Sequence, residues 1–154
     1  MPFDTTPDYK PNSQWSEVAV VASQPLWFRN VQTEIAELTK LPDDWDSYGS
    51  VAIKQDVANE ALKALSHLSR LGMSIPEVFA VPGGGIQFEW SGNSSEMELE
   101  IRPNHTIEFL IVDQKDKMRE GPIGNNMNEL FSLSYWFLNE SQSVDNLKVY
   151  AQTY

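Results

Sequence analysis

The chain has 154 residues, of which 41% are hydrophobic and 11% aromatic, so it can bury a core as one domain, and this composition argues against disorder over its whole length. It has no cysteine, which excludes disulfide bonds and thiolate metal sites. Its formal net charge of −11 argues against direct nucleic-acid binding and against adsorption to an anionic membrane, and it favours a basic protein partner.

The N-terminal segment predicts a flexible arm over residues 1–12, because three prolines oppose regular structure and few apolar residues could anchor it. It lacks the basic start and the apolar run of a secretory signal, and no apolar run approaches the roughly 20 residues that cross a membrane. We therefore expect a cytoplasmic protein with one α+β domain over residues 13–154. Residues 14–23 fit either a short helix or a strand.

Two amphipathic helices are predicted next. The first begins at Pro25, where the missing N–H of proline is tolerated, and it ends near Thr39. The second runs from Lys54 to Leu71, and Gly72 is placed to cap its C-terminal end. The apolar face of the first helix comprises Trp27, Val31, Ile35 and Leu38.

The apolar period then shortens to that of β-strands. Residues 76–82 predict a short strand that leads into a glycine-rich turn. Three alternating strands follow, and a continuous apolar face sets Trp90 opposite Met97 and Ile101 opposite Ile107. The last two of these strands are joined by a tight turn in which Asn104 suits a left-handed conformation. A polar loop is predicted over residues 113–126.

A last helix is predicted from Met127 to Asn139. Its apolar face is wide, so we expect it to be deeply buried or part of an interface, such as a homodimer formed through residues 130–138. The whole pattern predicts an α+β fold with two N-terminal helices, an antiparallel meander of about four strands and a C-terminal helix. The helices are expected to pack on one face of the sheet.

The strand registers place four glutamates together on the opposite face of the predicted sheet. Glu89 lies opposite Glu98, and Glu100 lies between Gln87 and Glu108. Like charges directly opposite one another destabilise a sheet by up to about 1 kcal/mol per pair, so folding alone does not favour this arrangement. Two interpretations stay open: a charged face that serves solubility and discourages edge pairing, or an acidic docking surface for a basic protein.

The segment LPDDWDSYGS, residues 41–50, combines three aspartates with two aromatic residues. Asp43, Asp44 and Asp46 could bind a hard cation such as Mg²⁺ or Ca²⁺, or could act as a paired acid and base. The alternative is a structured connection between helices, in which the aspartates accept backbone N–H bonds and Gly49 adopts a positive φ.

The apolar residues of this segment are expected to anchor it. Trp45 would fill the gap between the helices and the sheet, with its indole N–H bonded to a carbonyl or to one of the aspartates. Leu41 and Tyr48 would be further anchors.

No catalytic motif is found. The chain has two histidines, His67 on the second helix and His105 in a turn, and neither has a partner at a fixed spacing. The glycine run at 83–85 precedes a strand, whereas a phosphate-binding loop precedes a helix. The sequence therefore favours no catalytic residue, no cofactor and no metal.

Four segments resemble a family of small bacterial proteins that has no assigned activity. They are Trp45-Asp46-Ser47-Tyr48-Gly49, a strand that starts at Pro76, Gly84-Gly85-Ile86-Gln87-Phe88-Glu89-Trp90, and Leu99-Glu100-Ile101. The resemblance covers roughly residues 40–112 and implies an α+β domain from a bacterium or its mobile elements. It directs attention to Trp45, Asp46, Gly49, Glu89 and Trp90 without assigning them a role.

Three functions are compatible with these features. The first is a non-enzymatic protein that binds a basic partner through the four glutamates, as an inhibitor, antitoxin or immunity factor would; small acidic α+β proteins of these kinds offer an analogy of fold and charge alone. The second is a metal-dependent enzyme that uses Asp43, Asp44 and Asp46. The third is a structural homo-oligomer or a protein similar to a secretion chaperone.

Overall fold

The computed structural model describes residues 24–124 and 127–151, and it describes side chains as far as residue 141. The predicted flexible arm and the ambiguous residues 14–23 lie outside the described residues. Within these residues the elements are α1 (Phe28–Leu38), α2 (Gln55–Arg70), β1 (Glu77–Val81), β2 (Gly85–Gly92), β3 (Ser95–Ile101), β4 (Ile107–Val112), β5 (Met118–Ile123) and α3 (Asn128–Ala151).

Both N-terminal helices form where the apolar spacing predicts them. α1 begins soon after Pro25 and buries Phe28, Val31 and Ile35 on one face. α2 buries a continuous stripe of alanine and leucine side chains and ends at Arg70. Gly72 follows with a φ of +85°, which confirms its predicted place in the cap, because a residue with a Cβ rarely adopts that conformation.

The five strands form one antiparallel sheet in the order β1-β2-β3-β4-β5. Trp90 lies opposite Met97, and Ile101 lies opposite Ile107, which confirms the predicted registers. The prediction is reliable for a physical reason: a slip of one residue would turn every apolar side chain of a strand to the opposite face of the sheet.

The three described helices pack on one face of the sheet, with α1 against β1, α2 against β2 and β3, and α3 against β3. We call the other side of the sheet the open face, because the described helices all lie away from it. The core fills the space between the two layers. Its side chains with at most 1% exposure include Val31, Leu65, Phe88, Leu99 and Leu130.

Over the described residues the sheet has five strands rather than about four, because part of the predicted polar loop 113–126 is β5. This strand pairs with β4 along its whole length. Its sequence, MREGPI, shows no apolar alternation, so the free edge of β4 rather than local propensity makes it a strand. The connection between β4 and β5 is therefore shorter than predicted. It is a turn in which the Asp113 carboxylate accepts the N–H groups of Lys115 and Lys117 at 2.8 and 2.9 Å.

The C-terminal helix is longer than predicted. α3 continues to Ala151 instead of ending at Asn139, and residues 140–151 contain no glycine or proline that would stop it. Its buried side carries Leu130, Leu133 and Phe137, as expected. Among the described helices, none is both long enough and apolar enough to cross a membrane.

Candidate interaction surface

The four predicted glutamates lie together on the open face. The antiparallel registers set Glu89 directly opposite Glu98 and Glu100 directly opposite Glu108. All four side chains are half-buried. Their arrangement therefore follows the prediction, whereas their use by a partner stays a prediction.

Further glutamates extend this surface. Glu77 lies opposite Glu89, so Glu77, Glu89 and Glu98 form a row across three strands. Neighbouring strands are about 4.8 Å apart, so this row is about 10 Å long. The sequence prediction did not include the added residues, which are Glu77, Glu96 and Glu120.

One arginine bridges two of these glutamates. Arg102 donates from Nη1 to Glu108 Oε1 at 2.8 Å and from Nε to Glu100 Oε1 at 3.3 Å. It bridges two glutamates that lie directly opposite each other, so it offsets their mutual repulsion. We call Glu100 and Glu108 the compensated pair. Alternation in β3 and β4 did not reveal this role, because Arg102 follows the last residue of β3.

Within the described part of the chain, Glu89 and Glu98 have no such cation. Among the described side chains, no lysine or arginine forms an ion pair with either of them. Instead, the Gln87 amide donates to Glu89 Oε1 at 2.6 Å and to Glu98 Oε2 at 3.3 Å. Burial raises the pKa of Glu98, and the charges of Glu89 and Glu96 raise it further. We call Glu89 and Glu98 the uncompensated pair.

Glu98→Gln is expected to stabilise the folded chain at neutral pH by up to about 1 kcal/mol, because it removes a charge directly opposite Glu89. Folding raises the pKa of Glu98, so the folded chain holds this proton more tightly than the unfolded chain does. Stability therefore falls as the pH rises from the ordinary value of 4.5 through the raised value, and the gain should disappear below pH 4.5. Urea unfolding across this pH range measures the effect.

Glu100→Gln is the matched control. It makes the same change of charge two positions further along β3, but Arg102 already offsets the repulsion between Glu100 and Glu108, and the substitution also weakens the ion pair of Glu100 with Arg102. We expect no gain in stability from it. Equal stabilisation by both substitutions would contradict the division into a compensated and an uncompensated pair.

The loop between α1 and α2 is held by its own aspartates. Asp43 Oδ1 accepts the N–H of Ala52 at 2.8 Å, and Asp44 Oδ1 accepts the N–H of Gly49 at 2.7 Å. Gly49 has a φ of +87°, the left-handed conformation predicted for it. These are the backbone bonds expected of a structured connection.

Asp46 makes the largest set of these bonds. Its Oδ1 accepts the N–H groups of Tyr48 at 3.0 Å and Ser50 at 3.2 Å, and its Oδ2 accepts the hydroxyl of the buried Ser50. The hydroxyl bond, followed by the Tyr48 N–H, holds the pKa of Asp46 below its ordinary value. No group of three acidic or histidine side chains among the described residues could hold a metal ion. The bonding of these aspartates therefore supports the structural interpretation of the loop.

The aromatic residues of this loop differ from the prediction. Tyr48 is 93% exposed, so it is not an anchor. Trp45 is half-buried outside the main core, and its indole N–H is buried with no hydrogen-bond partner among the described residues, so the expected bond is wrong. Trp90 makes such a bond instead, from Nε1 to the Ser74 carbonyl at 2.9 Å. Composition alone does not show which ring turns inward.

The turn between β3 and β4 contacts α2 through a histidine. His105 Nε2 lies 2.9 Å from Asp56 Oδ2, although the two residues are 49 positions apart, and no sequence pattern signals this contact. The predicted conformation of Asn104 is wrong: His105 adopts the left-handed conformation, with a φ of +65°. Asn104 instead accepts the N–H of Thr106 at 3.1 Å through its side chain.

Comparison of the chain with protein-family models, with curated proteins and with solved structures found no match. The resemblance to a family of small bacterial proteins stays a prediction.

Proposed function

We propose that this chain is a non-enzymatic interaction protein that binds a basic protein partner through the open face, as an inhibitor, antitoxin or immunity factor would. The observation that carries the proposal is the uncompensated pair. Glu89 and Glu98 oppose each other in direct register, and Glu77 adds a third charge to their row. Folding gains nothing from this row, because each like-charged pair opposes sheet formation.

A basic partner would relieve this repulsion. Its lysine or arginine side chains would supply to the row the opposite charge that Arg102 already supplies to the compensated pair. Glu89 and Glu98 are half-buried, so charge-assisted hydrogen bonds to them are stronger than bonds on a fully exposed surface. The net charge of −11 would also steer a basic protein towards the chain and speed the association.

The proposal includes a cytoplasmic location, a bacterial or mobile-element source, and no direct contact with nucleic acid or a membrane. The lack of cysteine fits a reducing compartment. Phosphate groups would repel so acidic a chain. A protein that processes nucleic acid would carry the kind of basic surface that the open face complements.

The test is a variant in which Glu89, Glu98, Glu100 and Glu108 are all glutamine. The tagged chain is used to capture a partner, which is identified by mass spectrometry, purified and titrated against both forms of the chain. We expect the variant to lose at least about 100-fold in affinity, and we expect added salt to weaken the wild-type complex. Full affinity in the variant, or binding that ignores salt, would contradict the proposal.

The second candidate is a homodimer formed through residues 130–138, and an apolar groove along α3 favours it. Phe131 is 43% exposed and Tyr135 is 72% exposed, although both are large aromatic residues on one helix. No residue from 130 to 139 carries a charge. The groove has a volume of about 380 Å³ and is lined by Leu71, Phe131, Ser132, Ser134, Tyr135 and Leu138.

A second copy of the chain suits this groove better than a basic partner does. α3 lies on the helix side of the sheet, so two copies that meet through α3 keep their open faces, and the glutamates on them, apart. Tyr135 projects beside the groove that it lines. A two-fold axis would therefore let each tyrosine enter the groove of the other copy.

Tyr135→Ser is expected to raise the dissociation constant of the dimer at least about tenfold, because it removes the central exposed ring. Sedimentation velocity over a concentration series measures the change. Tyr48→Ser is the matched control, since Tyr48 is 93% exposed on the loop between α1 and α2 and does not line the groove, and it should leave the dimer intact. A wild-type chain that stays monomeric at all concentrations would rule this candidate out.

A further inference from the structure

β1 is an edge strand with a hydrogen-bonding neighbour on one side. It pairs with β2, and no other described strand lies beside it. Alternate backbone N–H and C=O groups of an edge strand point outward, so they can pair with another extended chain. In the described part of the chain, no backbone hydrogen bond outside the regular elements involves Val78, Phe79 or Ala80.

The apolar side of β1 is left partly uncovered. Val78 and Ala80 face the helices and pack against the core, but both are only half-buried. Their partners in β2, Phe88 and Ile86, are fully buried. The helix layer therefore does not close over the outer edge of β1. On the open side of the same strand, Phe79 is 42% exposed.

The opposite edge of the sheet is protected against pairing. β5 exposes the charged residues Arg119 and Glu120, and it contains Pro122, which has no N–H to donate. β1 contains no proline or lysine, and its one charge is Glu77 at the first position. Natural sheets commonly block their edges with charges and prolines, so this asymmetry points to β1 as an edge that accepts a strand.

We propose that the basic partner contributes an extended segment that pairs with β1 as an additional strand; this inference rests on the proposed function. Side chains of that strand would alternate between the two faces. Those on the helix side would cover Val78 and Ala80 and are apolar. Those on the open side would lie beside Glu77 and Phe79 and are lysine or arginine, because a cation can pair with the glutamate and bind the ring face.

The test uses two end-capped fluorescent peptides of identical composition. Lysine and valine alternate in one peptide, and they form separate blocks in the other. Anisotropy titrations with the full chain at low salt are expected to show at least about tenfold tighter binding of the alternating peptide. Only alternation places every valine against the apolar edge and every lysine on the open side. Attraction to the open face alone would bind both peptides equally, because their charge is the same.

Two variants test whether the peptide binds at the β1 edge or at the β5 edge of the sheet. Phe79→Lys and Met118→Lys each add one positive charge at an exposed apolar residue on the open side, on β1 and β5 respectively. Phe79→Lys is expected to weaken binding of the alternating peptide about tenfold more than Met118→Lys does. Binding of the peptide should also slow hydrogen exchange at the β1 amides.

Equal affinity of the two peptides, or equal weakening by the two variants, would overturn strand addition at β1. If both peptides still bind in a salt-dependent way, that result supports the acidic open face and leaves the proposed function standing. Binding of neither peptide at low salt would count against strand addition and against the proposed function together.

Discussion

Trp90→Ala is expected to lower the free energy of unfolding by about 3–5 kcal/mol, the largest stability effect that we predict. Trp90 is 3% exposed, its ring centroid lies 6.0 Å from that of Phe88, and its indole N–H bonds the Ser74 carbonyl at 2.9 Å. Alanine would leave a cavity and an unpaired carbonyl. Urea unfolding followed by far-ultraviolet circular dichroism measures the loss without relying on tryptophan fluorescence.

Trp45→Ala is the matched comparison. Trp45 is half-buried outside the main core, and its indole N–H has no described partner, so we expect a cost of about 1–2 kcal/mol. Trp90→Phe keeps most of the buried ring and isolates the hydrogen bond, which contributes about 1 kcal/mol. An equal cost for Trp45→Ala and Trp90→Ala would contradict this assignment of the core.

Asp46→Ala is expected to lower the melting temperature by several degrees. The buried Ser50 would lose the acceptor of both its N–H and its hydroxyl, and Tyr48 would lose the acceptor of its N–H. Folding lowers the pKa of Asp46, so its stabilising effect is present above the ordinary value of 3.8 and is lost as the pH falls through the lowered value. The difference in melting temperature between the wild type and the variant should therefore narrow in acid by the part that depends on the charge of Asp46, because a protonated carboxyl can still accept hydrogen bonds.

Asp46→Asn is the control for charge. The asparagine carbonyl can still accept the N–H groups of Tyr48 and Ser50, so most of the melting temperature should be retained. A melting temperature as low as that of Asp46→Ala would show that the loop needs the charge itself. A loss of partner binding at an unchanged melting temperature would place the charge of Asp46 in the interaction surface instead.

The centre of the sheet could be predicted from the sequence because two constraints agree there. β2 and β3 alternate apolar and polar residues, β4 is apolar at every position on the same face, and the connections are short, so one assumption about a continuous apolar face specifies both registers. The same registers bring Glu89, Glu98, Glu100 and Glu108 together on the open face. Both the core positions and the four glutamates were therefore predictable from local pattern.

The edges of the sheet could not be predicted in the same way. β5 is a strand because β4 offers it a free edge, and its Gly-Pro sequence gives no local signal. Glu77 and Glu120 were missed because both lie on edge strands whose registers depend on tertiary contacts. The ion pairs of Arg102 were not predicted, because Arg102 follows the last residue of β3. The alternation of the strand therefore does not specify where its side chain points.

The loop between α1 and α2 was predictable in its polar half only. Aspartates close to a glycine commonly bond nearby backbone N–H groups, and Asp43, Asp44 and Asp46 do so. The burial of Trp45 and Tyr48 depends on how the loop packs against the helices and the sheet. That packing is a tertiary property, and spacing within the loop carries no information about it.

The acidic docking surface is tested most directly by two double variants titrated against the same purified basic partner. Glu89→Gln with Glu98→Gln removes the uncompensated pair, and Glu100→Gln with Glu108→Gln removes the compensated pair, with an equal change in net charge. We predict that the first double variant loses at least about tenfold more affinity, because Arg102 already pairs with both members of the second pair and offsets one of their two charges. Equal losses would show that only the overall charge matters, and no loss in either variant would contradict the docking surface itself.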